Sequence, residues 1–202
     1  MDNVELVGGH PAVDLVNTVA WRGDARRRND RLTSDVDAVT WAVRTGVIPA
    51  GALRADAGST AVLDVLVPFR EALHAVLLGG GDPAARGAVH KAIGAAIARA
   101  DTPTAQPWHW DIARPTLADL PALAALRAAE LLTSPTIAEV RLCADDTCGW
   151  LFVDRSRNRS RRWCSSADCG NRARARRHAQ RVRQAANRVG RTAQRGTRPS
   201  PG

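Results

Sequence analysis

A mainly α-helical chain that closes in a small cysteine-centred module is what this sequence predicts, and three observations carry the expectation. Apolar residues recur at helical spacing in five segments before residue 134, several of them rich in alanine. All four cysteines fall between Cys143 and Cys169, as two C-x4-C pairs with fifteen residues between them. Charge is divided unevenly along the chain. From Arg141 to Gly202 there are 16 Arg against 4 Asp, a balance of +12, whereas residues 1–140 hold 13 Lys+Arg against 16 Asp+Glu, a balance of −3. With 202 residues and 45% hydrophobic content, one domain of ordinary size and a small module are both affordable.

Gly8-Gly9 makes a turn, and Pro11 suits the first turn of a helix, where its missing N–H costs nothing. Ala12, Leu15, Val16, Val19 and Ala20 then share one helical face. Asn17 lies beside that stripe and needs partners if buried, so it reads as a structural amide or as a pocket group. Gly23 to Arg31 is a charged loop. Thr33 or Ser34 caps a helix to about Thr45, with Asp35 and Asp37 in its favourable first turn and Gly46 closing it. Ser59 or Thr60 caps a long helix to about Leu78, kinked at Pro68 and ended by Gly79-Gly80-Gly81. The charged pair Arg70-Glu71 sits inside it. Asp82 and Pro83 open a further helix to about Ala100. Trp108 to Ile112 alternates and predicts a short strand. Thr116 caps the last helix of this part, Leu117 to Leu132, its first turns disturbed by Pro121; Ser134-Pro135 breaks it. The expected organisation is a helical domain over 1–136, which senses or dimerises, a metal module with a basic helix over 137–190, and a polar, disordered tail over 191–202.

The N-terminus has neither a basic n-region nor an apolar h-region, and no run of about 18 apolar residues exists. The expectation is a cytoplasmic, nucleoid-associated protein without a membrane partner, whose thiols stay reduced and bind metal rather than pair as disulfides. Cys143, Cys148, Cys164 and Cys169 offer four soft thiolates from two short knuckles, the donor set for one structural Zn2+ with no open position for catalysis. Trp150–Val153 and Arg161–Cys164 read as the two strands of a β-hairpin, and a helix from Asn171 to about Val189 follows, a treble-clef-like arrangement. Arg172 and the N-terminus of that helix offset the negative charge of the site. His178 is too far along the helix to be a ligand and reads as a phosphate or solvent contact.

That helix carries a narrow seam, Ala175, Ala179, Val182, Ala186 and Val189, expected to pack on the hairpin or on a partner helix, which leaves room for a homodimer. Around it stand Arg172, Arg174, Arg176, Arg177, Arg181 and Arg183. Arg155, Arg157 and Arg159 at the hairpin tip, with Arg161 and Arg162, supply a second basic edge. Arginine pairs bidentately with phosphate and with guanine, so duplex DNA is the expected partner and RNA the alternative. In the N-terminal domain His10, Asp14, Asn17, Arg70 and Trp108 form a candidate pocket for a small-molecule effector. No nucleophile–base set, catalytic metal motif or phosphate loop is evident, so an enzyme is not expected.

Cys169-Gly170-Asn171-Arg172, preceded by Arg162-Trp163-Cys164-Ser165 and by Cys143 and Cys148, resembles the CGNR zinc finger. Asp14-Leu-Val-Asn-Thr18 and the Trp41 to Gly46 segment resemble the ABATE domain found before that finger in bacterial proteins. The resemblance covers the chain to about Arg183. It implies a stress-induced transcription regulator, with zinc on the four cysteines and DNA binding through the finger. It supplies no ligand for the N-terminal domain, and the tail here is richer in arginine than that picture requires.

Overall fold

The structure, a computed structural model, describes residues 6–55, 61–79, 82–106 and 108–196, with side chains described as far as Gln184. The chain forms two compact units, one ending at Cys164 and one beginning at Ser165.

The first unit is built on five helices: α1 (Pro11–Val16), α2 (Asp35–Arg44), α3 (Val62–Leu77), α4 (Pro83–Arg99) and α5 (Leu120–Thr133). Their starts follow from local chemistry. His10 caps α1, its Nδ1 accepting from the Ala12 N–H at 3.2 Å, with Pro11 behind it. The Ser34 hydroxyl accepts from the Asp37 N–H at the head of α2, and the Asp82 carboxylate accepts from the Ala84 N–H at the head of α4. Ser59 and Thr60, expected to cap α3, lie outside the described residues. Before α5, Thr116 donates its N–H and hydroxyl to the Asp119 carboxylate, both at 2.9 Å, and Leu117–Asp119 forms a single 3₁₀ turn. The α-helix proper therefore starts at Leu120, next to Pro121, where the sequence placed a disturbance.

α5 is the centre of the core. Leu120, Leu123, Leu126 and Leu131 are fully buried along it, and it packs against α1, α3 and α4. Alanines at Ala124, Ala125 and Ala128 let the neighbours approach closely.

Three expectations are corrected. α1 ends at Val16 instead of running to Ala20, because Thr18 turns its hydroxyl back to the Leu15 carbonyl (2.7 Å) and Asn17 bonds a distant strand. Val19–Ala20 (β1) instead pairs antiparallel with Asn29–Asp30 (β2), within what read as a loop. Trp108–Ile112 is not a strand. Its polar groups are taken by α5: Arg127 donates to the Trp110 carbonyl at 2.7 Å, and His109 lies 2.8 Å from Glu130.

The hairpin of the cysteine module is also corrected. Leu151–Val153 (β4) pairs antiparallel with Val140–Leu142 (β3), in the register Val140↔Val153, Arg141↔Phe152 and Leu142↔Leu151. Arg161–Cys164 is not a strand. Arg161 turns its guanidinium onto the carbonyls of Trp163 (3.0 Å) and Val7 (3.3 Å) and over the Phe152 ring, so the segment curls instead of extending. The buried Asp154 carboxylate holds the preceding loop by accepting from Ser156 and from the Arg161 N–H.

This pairing ties residues beyond the expected boundary at 136 to the helical core. Leu151 and Val153 belong to the helical core, and the Val153 N–H bonds the Gly8 carbonyl at 2.8 Å.

The second unit is a five-residue turn, Ser166–Gly170, and one helix, α6 (Asn171–Gly196). α6 continues past Val189 and through the first residues of the expected disordered tail; 197–202 lie outside the described residues. Among the described residues, no helix is long and apolar enough to cross a membrane.

Candidate metal centre

The first knuckle leaves β3 at Cys143 and returns to β4 through Gly149. Asp145, fully buried, accepts from the Thr147 hydroxyl at 2.9 Å, and its carbonyl accepts from the Cys148 N–H, also at 2.9 Å. Gly149 takes φ +71°, and a Cβ there would lie 2.5 Å from the Arg22 Cβ, so this position is restricted to glycine twice over. Cys164 directs its N–H toward the Cys143 sulfur at 3.5 Å. Cys169 sits in the turn before α6, where the Ser165 hydroxyl accepts from the Asp168 N–H.

The four cysteines are buried, with every Sγ within 4.8 Å of the others. Cys148 and Cys164 stand 3.7 Å apart, sulfur to sulfur. A disulfide requires about 2.05 Å. Four sulfurs at ~2.3 Å around a tetrahedral zinc stand about 3.8 Å apart along each edge. The donor set and its spacing fit one structural zinc, as the cysteine pattern predicted. Arg172 places Nη2 2.7 Å from the Cys169 sulfur, where a positive charge offsets the excess negative charge of four thiolates.

The first knuckle is seated on the helical core by residues to which the sequence alone gave no such role. Arg22 donates its backbone N–H to the Cys148 carbonyl at 3.1 Å. The Trp150 indole donates to the Val19 carbonyl at 2.8 Å, and His74 lies 3.4 Å from the Gly149 carbonyl. The Arg22 side chain pairs bidentately with Glu71 at 2.6 and 3.0 Å. Next to it, Arg70 pairs with both oxygens of Asp30 at 2.7 Å, with Thr18 at 3.0 Å and with Glu71 at 2.8 Å. Burial alone would raise the Glu71 carboxyl, but the hydrogen bonds and charges of Arg22 and Arg70 outweigh it and hold it at about 2. Gly23 completes the seat: a Cβ there would fall 2.0 Å from the Asp146 carbonyl oxygen. The one legible signal was the charged pair Arg70-Glu71 inside an apolar helix.

Asn17 clamps β4, donating to the Leu151 carbonyl at 2.8 Å and accepting its N–H at 2.9 Å, the structural reading of this amide. Asp14 accepts the Gly8 N–H at 2.8 Å; burial pushes its carboxyl up to about 6 despite that bond. His10 is the cap of α1; burial, then Arg155 and Arg127, push it down to about 4. Arg70 is committed to the ion network. Trp108 is 61% exposed and meets Trp110 edge to face. The four polar candidate groups thus bond within the fold, and Trp108 is exposed.

The arginines divide as well. Arg161 is directed inward, Arg159 pairs with Glu139 and donates to the Asp154 carbonyl, and Arg162 lies over the Trp163 ring. Arg155 and Arg157 are exposed on the loop. On α6, Arg172 is held at Cys169, Arg174 reaches the Ser166 carbonyl and Asn171, and Arg177 donates to the Ala173 carbonyl. From Arg174 to Gln184 every side chain is exposed, Arg176, His178, Arg181 and Arg183 included. Ala175, Ala179 and Val182, expected to pack as a seam, are exposed too, Val182 at 55%.

Comparison with known families follows this anatomy. The model of the ABATE family, described as "Putative stress-induced transcription regulator", matches residues 9–135, and that of the CGNR zinc finger matches residues 139–182. The chain belongs to the ABATE family. No curated protein matches it. The finger match contains all four cysteines and α6 as far as Val182, so the buried sulfur cluster is the metal centre of a CGNR finger. The ABATE match ends before β3 and β4, although β4 is built into the ABATE core.

Proposed function

We propose that this ABATE protein is a zinc-dependent DNA-binding regulator of transcription, acting at the bacterial nucleoid. The observation that carries the reading is a helix of 26 residues that starts two residues after the last zinc ligand, with every described side chain from Arg174 onward exposed. Its length is about 39 Å at ~1.5 Å per residue. An α-helix fits the ~12 Å major groove, and arginine is the side chain best matched to phosphate and to guanine there. Arg176, Arg181 and Arg183 face phosphate in this reading, with Arg155 and Arg157 as a second basic edge. The zinc site fixes the turn from which the helix starts, and the domain has a regulatory rather than a catalytic role.

The test is a titration of the zinc-loaded chain with duplex DNA, with and without chelator, against competing random duplex and structured RNA. One zinc per chain, and chelator-sensitive binding that prefers duplex DNA, is the expected result. Preference for structured RNA would move the same arginines to an RNA partner. Binding that survives complete removal of zinc would sink the finger as the binding element.

A further inference from the structure

Between α3, α4 and the start of α5 lies a cavity of about 250 Å3, bounded by Val62, Phe69, Ala92, Ala96, Pro121 and Arg99. It exists because α4 presents alanine at Ala92 and Ala96, where leucine would fill the space. The volume is below the roughly 300 Å3 at which drug-sized sites begin. At ~30 Å3 per water-sized group it holds about eight such groups. Its wall is apolar apart from Arg99.

Arg99 gives one N–H to Asp119. A guanidinium carries five such donors, in a fork that matches a carboxylate. The second oxygen of Asp119 is taken by the N–H and hydroxyl of Thr116, so this acid is committed to the turn before α5. A half-open apolar hollow with the partly exposed Arg99 guanidinium at its rim matches a ligand with an apolar chain and an acidic head.

We propose that this cavity is an effector site for a small apolar carboxylate, with a chain of about six to eight carbons by the volume above. α3 faces it with Val62 and Phe69. The same helix holds Arg22 through Glu71 and approaches Gly149 through His74, beside the zinc ligand Cys148. A ligand that shifts α3 therefore acts on the seat of the zinc knuckle. That last step rests on the DNA-binding reading; occupation of the cavity does not.

Calorimetric titration of the full-length, zinc-loaded chain with sodium octanoate tests it, with 1-octanol and octylamine as controls of the same length. Saturable binding of one octanoate per chain is expected, at least about tenfold tighter than either control. Ala92→Leu, which fills the cavity with a residue that helices tolerate well, should weaken octanoate by more than about tenfold while thermal unfolding stays cooperative. Arg99→Gln should retain 1-octanol binding and cancel the preference for octanoate. Absence of saturable octanoate binding overturns the site, as does octanoate binding that neither variant changes. Octanoate binding without any effect on DNA affinity overturns the coupling through α3 and leaves the site. Failure of the DNA-binding reading is seen separately, in the titration without octanoate.

Discussion

Arg70 and Arg181 are the same residue type in opposite settings. Arg70 is 1% exposed and bonds Asp30, Thr18 and Glu71 within the helical unit, whereas Arg181 belongs to a stretch of α6 in which every side chain is exposed. The contrast extends to their neighbours. Arg22, Arg127 and Arg161 also turn inward, onto Glu71, the Trp110 carbonyl and the Trp163 carbonyl. A count of basic residues therefore overstates the surface available to a polyanion. Arg161 and Arg172 are part of the finger's construction, and the exposed set is narrower than the charge of the C-terminal segment suggests.

The largest effect should come from the metal. Removal of zinc, or Cys148→Ser, should abolish the folded finger and also lower the melting temperature of the helical unit, because Cys148 and Gly149 are seated on Arg22 and His74. Structural zinc contributes on the order of 10–16 kcal/mol in finger peptides, so the loss should be plain in metal analysis and in circular-dichroism melts. A helical unit that melts unchanged without zinc would separate the two parts and contradict the shared seat.

Next in size is the inward arginine. Arg70→Ala should destabilise the chain by about 3 kcal/mol, the low end for losing one partner of a buried ion pair, since Asp30 and Glu71 are each about a third exposed. Urea unfolding measures this. Arg183→Ala should leave the unfolding free energy within about 0.5 kcal/mol of the parent, as expected for an exposed site. If the two variants cost the same, the division between inward and outward arginine fails.

A smaller, pH-dependent difference sharpens the account of the core. The folded carboxyl of Asp14 lies at about 6, above its ordinary 3.8. The native state then binds more protons than the unfolded one between these values, so the Asp14 contribution is full below pH 4 and falls as pH rises toward 6. Glu71, held at about 2 against an ordinary 4.5, has the opposite sign: its contribution is present above pH 4.5 and is lost as pH falls toward 2. Asp14→Asn, which can still accept from Gly8, should remove the decline between pH 4 and 6 relative to the parent. Parallel stability curves for the two proteins would place Asp14 in a more solvated setting.

The parts that were legible in the sequence are those fixed by neighbours along the chain. Ser34, Asp82 and Pro11 announce helix starts within a few residues, and the four cysteines stand out by spacing and by their absence elsewhere. The parts that were not legible depend on partners far away. Asn17 finds its partner at Leu151, and Arg70 finds Asp30 across forty positions. No local pattern distinguishes a pocket group from such a clamp. The strand expected at Arg161–Cys164 failed for a similar reason: the return of the hairpin is overridden by one side chain that bonds its own segment and the Val7 carbonyl.

The most direct test of the central claim is the salt dependence of DNA binding for the parent and for Arg181→Ala/Arg183→Ala. With about five phosphates neutralised, the parent should show a log–log slope near −4 to −5, and loss of two contacts should bring it to roughly −3 with little change in stability. A shallow parental slope, or an unchanged slope in the variant, would contradict the assignment of the exposed arginines of α6 to phosphate.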